Sequence, residues 1–179
     1  MGRVEVVKTL SNNYIIIEDN YCLIFDCGGR KILNRLKELR VEPKAIFITH
    51  LHFDHVVGVR SIVKEFENVK VYVPSYMIPE LVYDITIGLG RLFLLGVKFN
   101  IISEDTKIRV DDIEVKAYRT SGHTIHHTCY TIDSEGILVI GDAGYVKNGK
   151  VVTRIDKIKS LLETSKYKII LPGHGKYLL

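Results

Sequence analysis

The sequence lacks several features that would mark a secreted protein. It contains only three cysteines, an odd and small number that does not fit the disulfide framework of small secreted domains. The N-terminal residues include Arg3, Glu5 and Lys8 and form no apolar run, which argues against a signal peptide. These absences together predict a cytoplasmic protein.

Long apolar runs and clustered charges are absent as well. The longest stretch without Asp, Glu, Lys or Arg is Thr120–Ile132, which has 13 residues, whereas a membrane crossing needs about 20 apolar residues. Lysine and arginine exceed aspartate and glutamate by only 25 to 21, and no basic block occurs. We therefore expect no membrane association and no dedicated nucleic-acid surface.

The remaining composition suits one globular domain over residues 1–179, because 46% of the residues are hydrophobic and 26% are charged. Short apolar runs bounded by turn residues predict strands at Val4–Val7, Tyr14–Ile17, Tyr21–Phe25, Ala45–Thr49, Val69–Val73, Lys107–Val110, Ile113–Arg119, His127–Ile132, Ile137–Ile140 and Lys168–Leu171. Helical spacing predicts helices at Lys31–Leu39, which Pro43 is expected to end, at Gly58–Phe66 and at Ile155–Leu162. Strands in two halves, each with helices that can cover one face, predict an α/β (α+β) fold of two packed mixed β-sheets flanked by helices.

All seven histidines lie in three short segments, and each segment begins where a predicted strand ends. They are His50, His52 and His55, then His123, His126 and His127, and finally His174. Asp142 also follows a predicted strand directly. Imidazole is a good ligand for zinc, iron and copper, and a carboxylate can bridge two ions. On an extended backbone His50 and His52 share a side, so they can reach one ion while Asp54 and His55 turn toward another.

These segments resemble the motifs of the metallo-β-lactamase superfamily, in the same order along almost the whole chain. The similar segments are Thr49-His50-Leu51-His52-Phe53-Asp54-His55, Ser121-Gly122-His123, Gly141-Asp142 and Pro172-Gly173-His174-Gly175. Asn12-Asn13-Tyr14 and His127-Thr128-Cys129-Tyr130 resemble the glyoxalase II-like branch, which usually has glycine where this chain has His126. Only residues 175–179 follow His174, so the resemblance is to a short form without the C-terminal helical domain that helps glyoxalase II bind glutathione.

The resemblance implies a four-layer αββα sandwich with two metal ions at one edge of the sheets. It implies that His50, His52 and His123 hold the first ion and that Asp54, His55 and His174 hold the second, with Asp142 bridging both. Asp26 would support the site from behind, and His127 would be a supporting or structural residue. The expected cofactors are two Zn²⁺ per chain, with iron and manganese as alternatives.

The activity that the resemblance implies is hydrolysis of a small-molecule thioester, ester or lactone by a hydroxide shared between two ions. Asp54 would orient or deprotonate this hydroxide. Tyr145 resembles a tyrosine of the acyl-homoserine lactonase branch that contacts the substrate carbonyl, although ordinary packing explains it equally well. The alternative is a persulfide dioxygenase with one iron at His50, His123 and Asp142. A nuclease of the same fold is disfavoured by the modest charge.

The stretch from residue 76 to residue 97 is apolar and contains one proline and three glycines. We favour a core helix packed on the sheet, because buried apolar helices are common. The alternatives are a lid or substrate wall beside the active site, or the contact of a homodimer.

Overall fold

The first sheet contains the strands of the N-terminal part of the chain. The structure, a computed structural model, describes residues 2–75 and 85–179. In this sheet the strand order is β1-β2-β3-β4-β5-β6, with antiparallel pairs up to β3 and parallel pairs after it. The strands are β1 (Arg3–Lys8), β2 (Asn12–Glu18), β3 (Tyr21–Phe25), β4 (Glu42–Phe47), β5 (Lys70–Pro74) and β6 (Asn100–Ile102).

The second sheet has the order β13-β10-β9-β8-β7, in which only β10 and β13 pair in parallel. A separate hairpin of β11 and β12 follows β10 in the chain. The strands are β7 (Thr106–Val110), β8 (Ile113–Arg119), β9 (Thr128–Ile132), β10 (Ile137–Gly141), β11 (Tyr145–Lys147), β12 (Lys150–Val152) and β13 (Ile169–Pro172). The helices are α1 (Lys31–Leu39), α2 (Phe53–Val56), α3 (Val59–Glu65), α4 (Ile85–Phe93) and α5 (Asp156–Glu163), with a 3₁₀ turn at Asp133–Glu135.

Three clusters of buried apolar side chains define four layers. The middle cluster lies between the sheets, where Phe25, Phe47 and Tyr130 have ring centroids 5.1, 5.4 and 5.6 Å apart. Helices α1, α3 and α4 cover the outer face of the first sheet. Helix α5 covers the second sheet through Ile158, which is fully buried. The predicted αββα sandwich of two mixed sheets is therefore confirmed.

Pro43 does not end the first helix, contrary to expectation. Helix α1 ends at Leu39 because Arg40 adopts the left-handed conformation, with φ of 56°, and its backbone N–H closes the last turn. Pro43 instead lies inside β4, opposite Cys22, where the register with β3 shifts. A proline is tolerated there because an irregular pairing does not need its missing N–H.

Part of the apolar stretch from residue 76 to residue 97 lies outside the described residues, which resume at Ile85. From there α4 extends to Phe93, and Ile87, Leu94 and Val97 are buried in the cluster that covers the first sheet. This part agrees with a helix packed on the core. The outer side of the same stretch remains apolar and exposed at Leu89, Leu92 and Leu95.

No helix within residues 2–75 and 85–179 combines the length and apolarity that a membrane crossing requires.

Asp133, in the 3₁₀ turn after β9, links strands β8 and β9 to the segment that precedes β13. Its carboxylate accepts hydrogen bonds from Lys116 (2.5 Å), Lys166 (2.6 Å), Tyr167 (2.8 Å) and Thr131 (3.0 Å). Partial burial alone would raise the pKa of Asp133, but the bonds from Lys116 and Lys166 outweigh it and hold this pKa well below its usual range. A carboxylate with a depressed pKa stabilises the fold at neutral pH, and this stabilisation is lost as the pH falls through the folded-state value.

We expect Asp133→Asn to lower the free energy of unfolding at pH 7 by about 2 kcal/mol, the typical value of hydrogen bonds to a charged group. Urea denaturation of the metal-free chain measures this difference, which should shrink as the pH falls below about 4. Asp156→Asn is the control, because Asp156 is exposed and forms a surface ion pair with Lys159. Equal stability of the wild type and Asp133→Asn at pH 7 would contradict the expectation.

Candidate metal centre

The predicted metal ligands come together from four segments that follow strand ends. His50 follows β4, His52 directly precedes α2, and Asp54 and His55 lie in α2. The other ligands are His123 in the loop after β8, Asp142 immediately after β10 and His174 after β13. The seven residues form two groups, and within each group the ligand atoms lie within 4.8 Å of one another.

The first group consists of His50, His52, His123 and Asp142. His52 Nδ1 lies 3.0 Å from His50 Nε2 and 3.1 Å from His123 Nε2. Asp142 Oδ2 lies 3.8 Å from His50 Nε2 and 3.4 Å from His123 Nε2. Three imidazole nitrogens and one carboxylate oxygen thus surround one point, which is a ligand set typical of zinc or iron.

The second group consists of Asp54, His55 and His174. Asp54 Oδ2 lies 3.2 Å from His174 Nε2 and 3.7 Å from His55 Nε2. Asp142 reaches this group too, because its Oδ1 lies 3.6 Å from His55 Nε2 and its Oδ2 lies 3.4 Å from His174 Nε2. Asp142 therefore faces both groups, which is the arrangement that a bridging carboxylate requires.

Two buried polar atoms in the centre have no hydrogen-bond partner within the described part of the chain. They are His55 Nε2 and Asp142 Oδ1, which face each other at a distance beyond hydrogen bonding. Leaving such atoms unsatisfied is costly, and a cation between them would satisfy both. This pair and the nitrogen-rich donor set fit divalent transition-metal ions.

The histidine rings are held in place by groups behind them. Asp26 Oδ2 accepts a hydrogen bond from His55 Nδ1 at 2.8 Å, so Nε2 of that ring keeps its lone pair for the centre. The Thr49 hydroxyl donates to Asp26 at 2.8 Å and accepts from His50 Nδ1 at 3.0 Å, which fixes the second ring in the same way. Asp26 therefore orients one ligand of each group.

The pKa values of the two buried histidines, His50 and His55, are shifted in opposite directions. Burial lowers the pKa of His50 well below its ordinary value, so this ring is neutral and able to bind a metal. Burial also lowers the pKa of His55, but the carboxylates of Asp26 and Asp142 outweigh it and raise the pKa to about 10. Binding of a cation would displace the extra proton of His55.

His127 lies behind the first group rather than in it. Its ring stacks on His50 at a centroid distance of 5.3 Å, and its Nδ1 is 2.9 Å from the Thr120 hydroxyl. Burial lowers the pKa of His127 to about 3, which keeps the ring neutral. His126 is half-buried and contacts Arg119, with 3.3 Å between its Nδ1 and the guanidinium.

The strand ends that hold the ligands are joined across the sheets. Tyr130 in β9 donates its hydroxyl hydrogen bond to the Ile48 carbonyl at 2.6 Å. The Thr128 N–H donates to the Thr49 carbonyl at 2.8 Å. Within the second sheet, the Gly173 N–H donates to the Gly141 carbonyl at 2.9 Å and joins the ends of β13 and β10. Sequence reasoning did not find these contacts, because Tyr130 and Thr128 look like ordinary strand residues until the two sheets are packed.

A cavity of about 710 Å³ opens beside the first group. His123 and Asp142 form part of its wall, together with Tyr145 from β11 and Arg154 after β12. Tyr145 is 53% exposed, so its ring is accessible to a bound molecule. Arg154 makes no ion pair with any residue that the structure describes, which leaves one free cation at the cavity. Sequence reasoning did not find Arg154, since a single arginine has no local signature.

Comparison with known proteins shows which superfamily the chain belongs to. The sequence profile of the metallo-β-lactamase superfamily matches residues 7–174. The chain therefore belongs to this superfamily, and the resemblance inferred from its motifs is confirmed. It is a metal-binding hydrolase of the metallo-β-lactamase fold with relatives in the glyoxalase II-like group.

Two curated relatives are similar over nearly the whole chain. "Probable metallo-hydrolase YqgX" of Bacillus subtilis is 28% identical in an alignment 188 residues long. The alignment covers 97% of this chain and 89% of that protein. The hydroxyacylglutathione hydrolase of Buchnera aphidicola subsp. Baizongia pistaciae is 26% identical over 182 residues, covering 96% of this chain. The chain spans 66% of the length of the Buchnera enzyme.

Two crystal structures share the fold. The BLEG-1 B3 metallo-β-lactamase superposes with a TM-score of 0.73 at 21% identity, covering 99% of this chain and 93% of that one. TTHA1623, solved in a di-iron-bound form, has a TM-score of 0.67 at 20% identity and covers 98% of this chain and 93% of its own. At these identities the likeness establishes the fold and not the substrate.

Proposed function

We propose that this protein is a binuclear metallohydrolase that cleaves a small-molecule thioester, ester or lactone. The observation that supports this proposal most directly is the position of Asp142, whose Oδ2 lies near His123 of the first group and His174 of the second, while its Oδ1 faces His55. A mononuclear iron dioxygenase would use only His50, His123 and Asp142. It would leave Asp54, His55 and His174 gathered around a second point without a role.

We propose that His50, His52 and His123 bind the first ion, that Asp54, His55 and His174 bind the second, and that Asp142 binds both. Two divalent ions, when bound, lower the pKa of a shared water to about 7 and so supply a nucleophile at neutral pH. We assign zinc to the centre, with iron and manganese as alternatives. Iron is an alternative because the related fold of TTHA1623 was solved in a di-iron form.

The side chains of the chain supply position and proton transfer. Asp54 Oδ2 lies beside His174 and close to the centre, where it can orient the nucleophile and accept its proton. Tyr145 shares the cavity with His123 and Asp142, so its hydroxyl can donate to the carbonyl oxygen as negative charge develops there. Tyr145→Phe tests this role, because it should lower kcat while the metal content stays unchanged.

A metal count paired with a substrate screen tests the proposed function. We expect about two metal ions per chain by elemental analysis, and hydrolysis within a panel of thioesters, esters and lactones that is abolished by a chelator and restored by zinc. The panel should include hydroxyacylglutathione, because the Buchnera relative at 26% identity carries the name hydroxyacylglutathione hydrolase. One iron per chain with oxygen uptake on a persulfide would contradict the proposal and support the dioxygenase.

A further inference from the structure

Two glycines from outside the metal-binding segment, residues 50–55, lie directly against its backbone. Gly90 is in α4, and Gly28 is in the loop after β3. A Cβ atom on Gly90 would overlap the carbonyl oxygen of Leu51, and a Cβ atom on Gly28 would overlap the carbonyl oxygen of Asp54. In both places the nearest obstacle is backbone, so no side-chain rotation could relieve that overlap. At Gly28 the added Cβ would also lie 2.5 Å from the Ser11 hydroxyl and 2.9 Å from the Thr9 hydroxyl.

Neither glycine is needed for its own backbone conformation. The described glycines with positive φ are Gly96, Gly136, Gly141, Gly149 and Gly175, and neither Gly28 nor Gly90 is among them. Gly90 is also inside a helix, where alanine is the better helix former. The missing side chain therefore serves the close approach to the metal-binding segment.

The two contacts fall on different halves of the metal centre. Leu51 lies between His50 and His52, which both belong to the first group. Helix α4 packs against α2, and its Ile87 is buried in the same cluster as Leu51. This helix therefore supports the first half of the segment.

Asp54 belongs to the second group, and its backbone is in contact with Ser11 and Gly28. Its carbonyl oxygen accepts a hydrogen bond from the Ser11 hydroxyl at 2.7 Å. Gly28 is fixed in turn, because its N–H donates to Asn13 Oδ1 at 2.5 Å. The loop after β3 therefore supports the second half of the segment.

We infer that Gly90 and Gly28 are positioning residues, and that each controls the metal affinity of one ligand group. Gly90 acts through Leu51 on the group of His50, His52 and His123, whereas Gly28 acts through Asp54 on the group of Asp54, His55 and His174. A displaced carbonyl moves the neighbouring ligand, and metal sites tolerate errors of only about 0.2 Å in ligand distance. This inference rests on the proposed binuclear function.

The test compares Gly90→Ala with Gly28→Ala. Chelator competition measures the affinity for each of two zinc ions, and ¹⁵N NMR shifts of the histidine side chains identify which group each ion occupies. We expect Gly90→Ala to weaken zinc binding at His50, His52 and His123 at least tenfold while His55 and His174 bind normally. Gly28→Ala should show the opposite pattern.

Two variants serve as matched controls and should bind zinc like the wild type. Gly29→Ala changes the neighbour of Gly28, where a Cβ atom would meet only the Thr9 side chain at 3.1 Å. Leu92→Ala changes an exposed position of α4. Ser11→Ala and Ile87→Val loosen the two supports without adding an atom, so they replace the glycine variants if either fails to fold and should show the same selectivity.

Equal loss of affinity at both groups, or unchanged affinity in folded variants, would overturn the inference while the binuclear function stands. A lower free energy of unfolding of the metal-free chain without selectivity between the groups would indicate a merely structural role, which also overturns it. A wild-type chain that binds fewer than two ions would instead refute the proposed function itself, and the inference with it.

Discussion

Replacing Asp142 with alanine should lower kcat/KM for the best substrate by at least about a thousandfold and reduce the metal content below two ions per chain. Asp142 Oδ2 lies 3.4 Å from both His123 Nε2 and His174 Nε2, so one substitution removes a ligand from both groups. A metal ion contributes several kcal/mol of transition-state stabilisation, and each 1.4 kcal/mol corresponds to about tenfold in rate.

Elemental analysis and steady-state kinetics on the same preparations measure both effects of Asp142→Ala. Asp156→Ala is the matched control, because Asp156 lines the same cavity but is exposed and forms an ion pair with Lys159 at 2.8 Å. We expect this control to keep two ions and full turnover. If Asp142→Ala retained two ions and turned over normally, Asp142 would not bridge the centre.

The candidate ligands, which the structure brings together in two groups, could be named from the sequence because their signal is local. Each histidine segment directly follows an apolar strand, and the resemblance of these segments to the superfamily motifs implied which residues form each group. The strand at Tyr21–Phe25 and the helix at Lys31–Leu39 have the predicted bounds, since turn residues and apolar spacing mark them clearly.

Features that depend on contacts between distant segments could not be predicted in this way. Strands β6, β11 and β12 have three residues each, too few to show an alternating pattern. Proline is a strong local signal, so the sequence predicts that Pro43 ends α1, whereas the left-handed conformation of Arg40 has no local signal. The close approach of Gly90 to Leu51 exists only once α4 has packed beside the metal-binding segment.

Replacing Asp26 should also have a large effect on metal binding. In every hydrogen bond that the structure describes for it, the Asp26 carboxylate is the acceptor. It accepts from the Thr49 N–H at 2.8 Å, from the Thr49 hydroxyl and from His55 Nδ1. Asparagine has nearly the same shape and, like aspartate, tolerates the left-handed backbone of this position, where φ is 60°. Its amide, however, would place two N–H donors where the site supplies donors already.

We therefore expect Asp26→Asn to weaken metal binding by about 10-fold to 100-fold, the usual effect of losing the group that orients a ligating histidine. An amide facing His55 Nδ1 would favour the tautomer that carries its proton on Nε2, and that proton would point into the centre. Chelator competition measures the affinity, and ¹⁵N NMR reports the tautomer of His55. Asp111→Asn is the control, because Asp111 also has positive φ, at 49°, but lies in the exposed turn between β7 and β8. Unchanged affinity together with the original tautomer of His55 in Asp26→Asn would show that Asp26 does not orient this ligand.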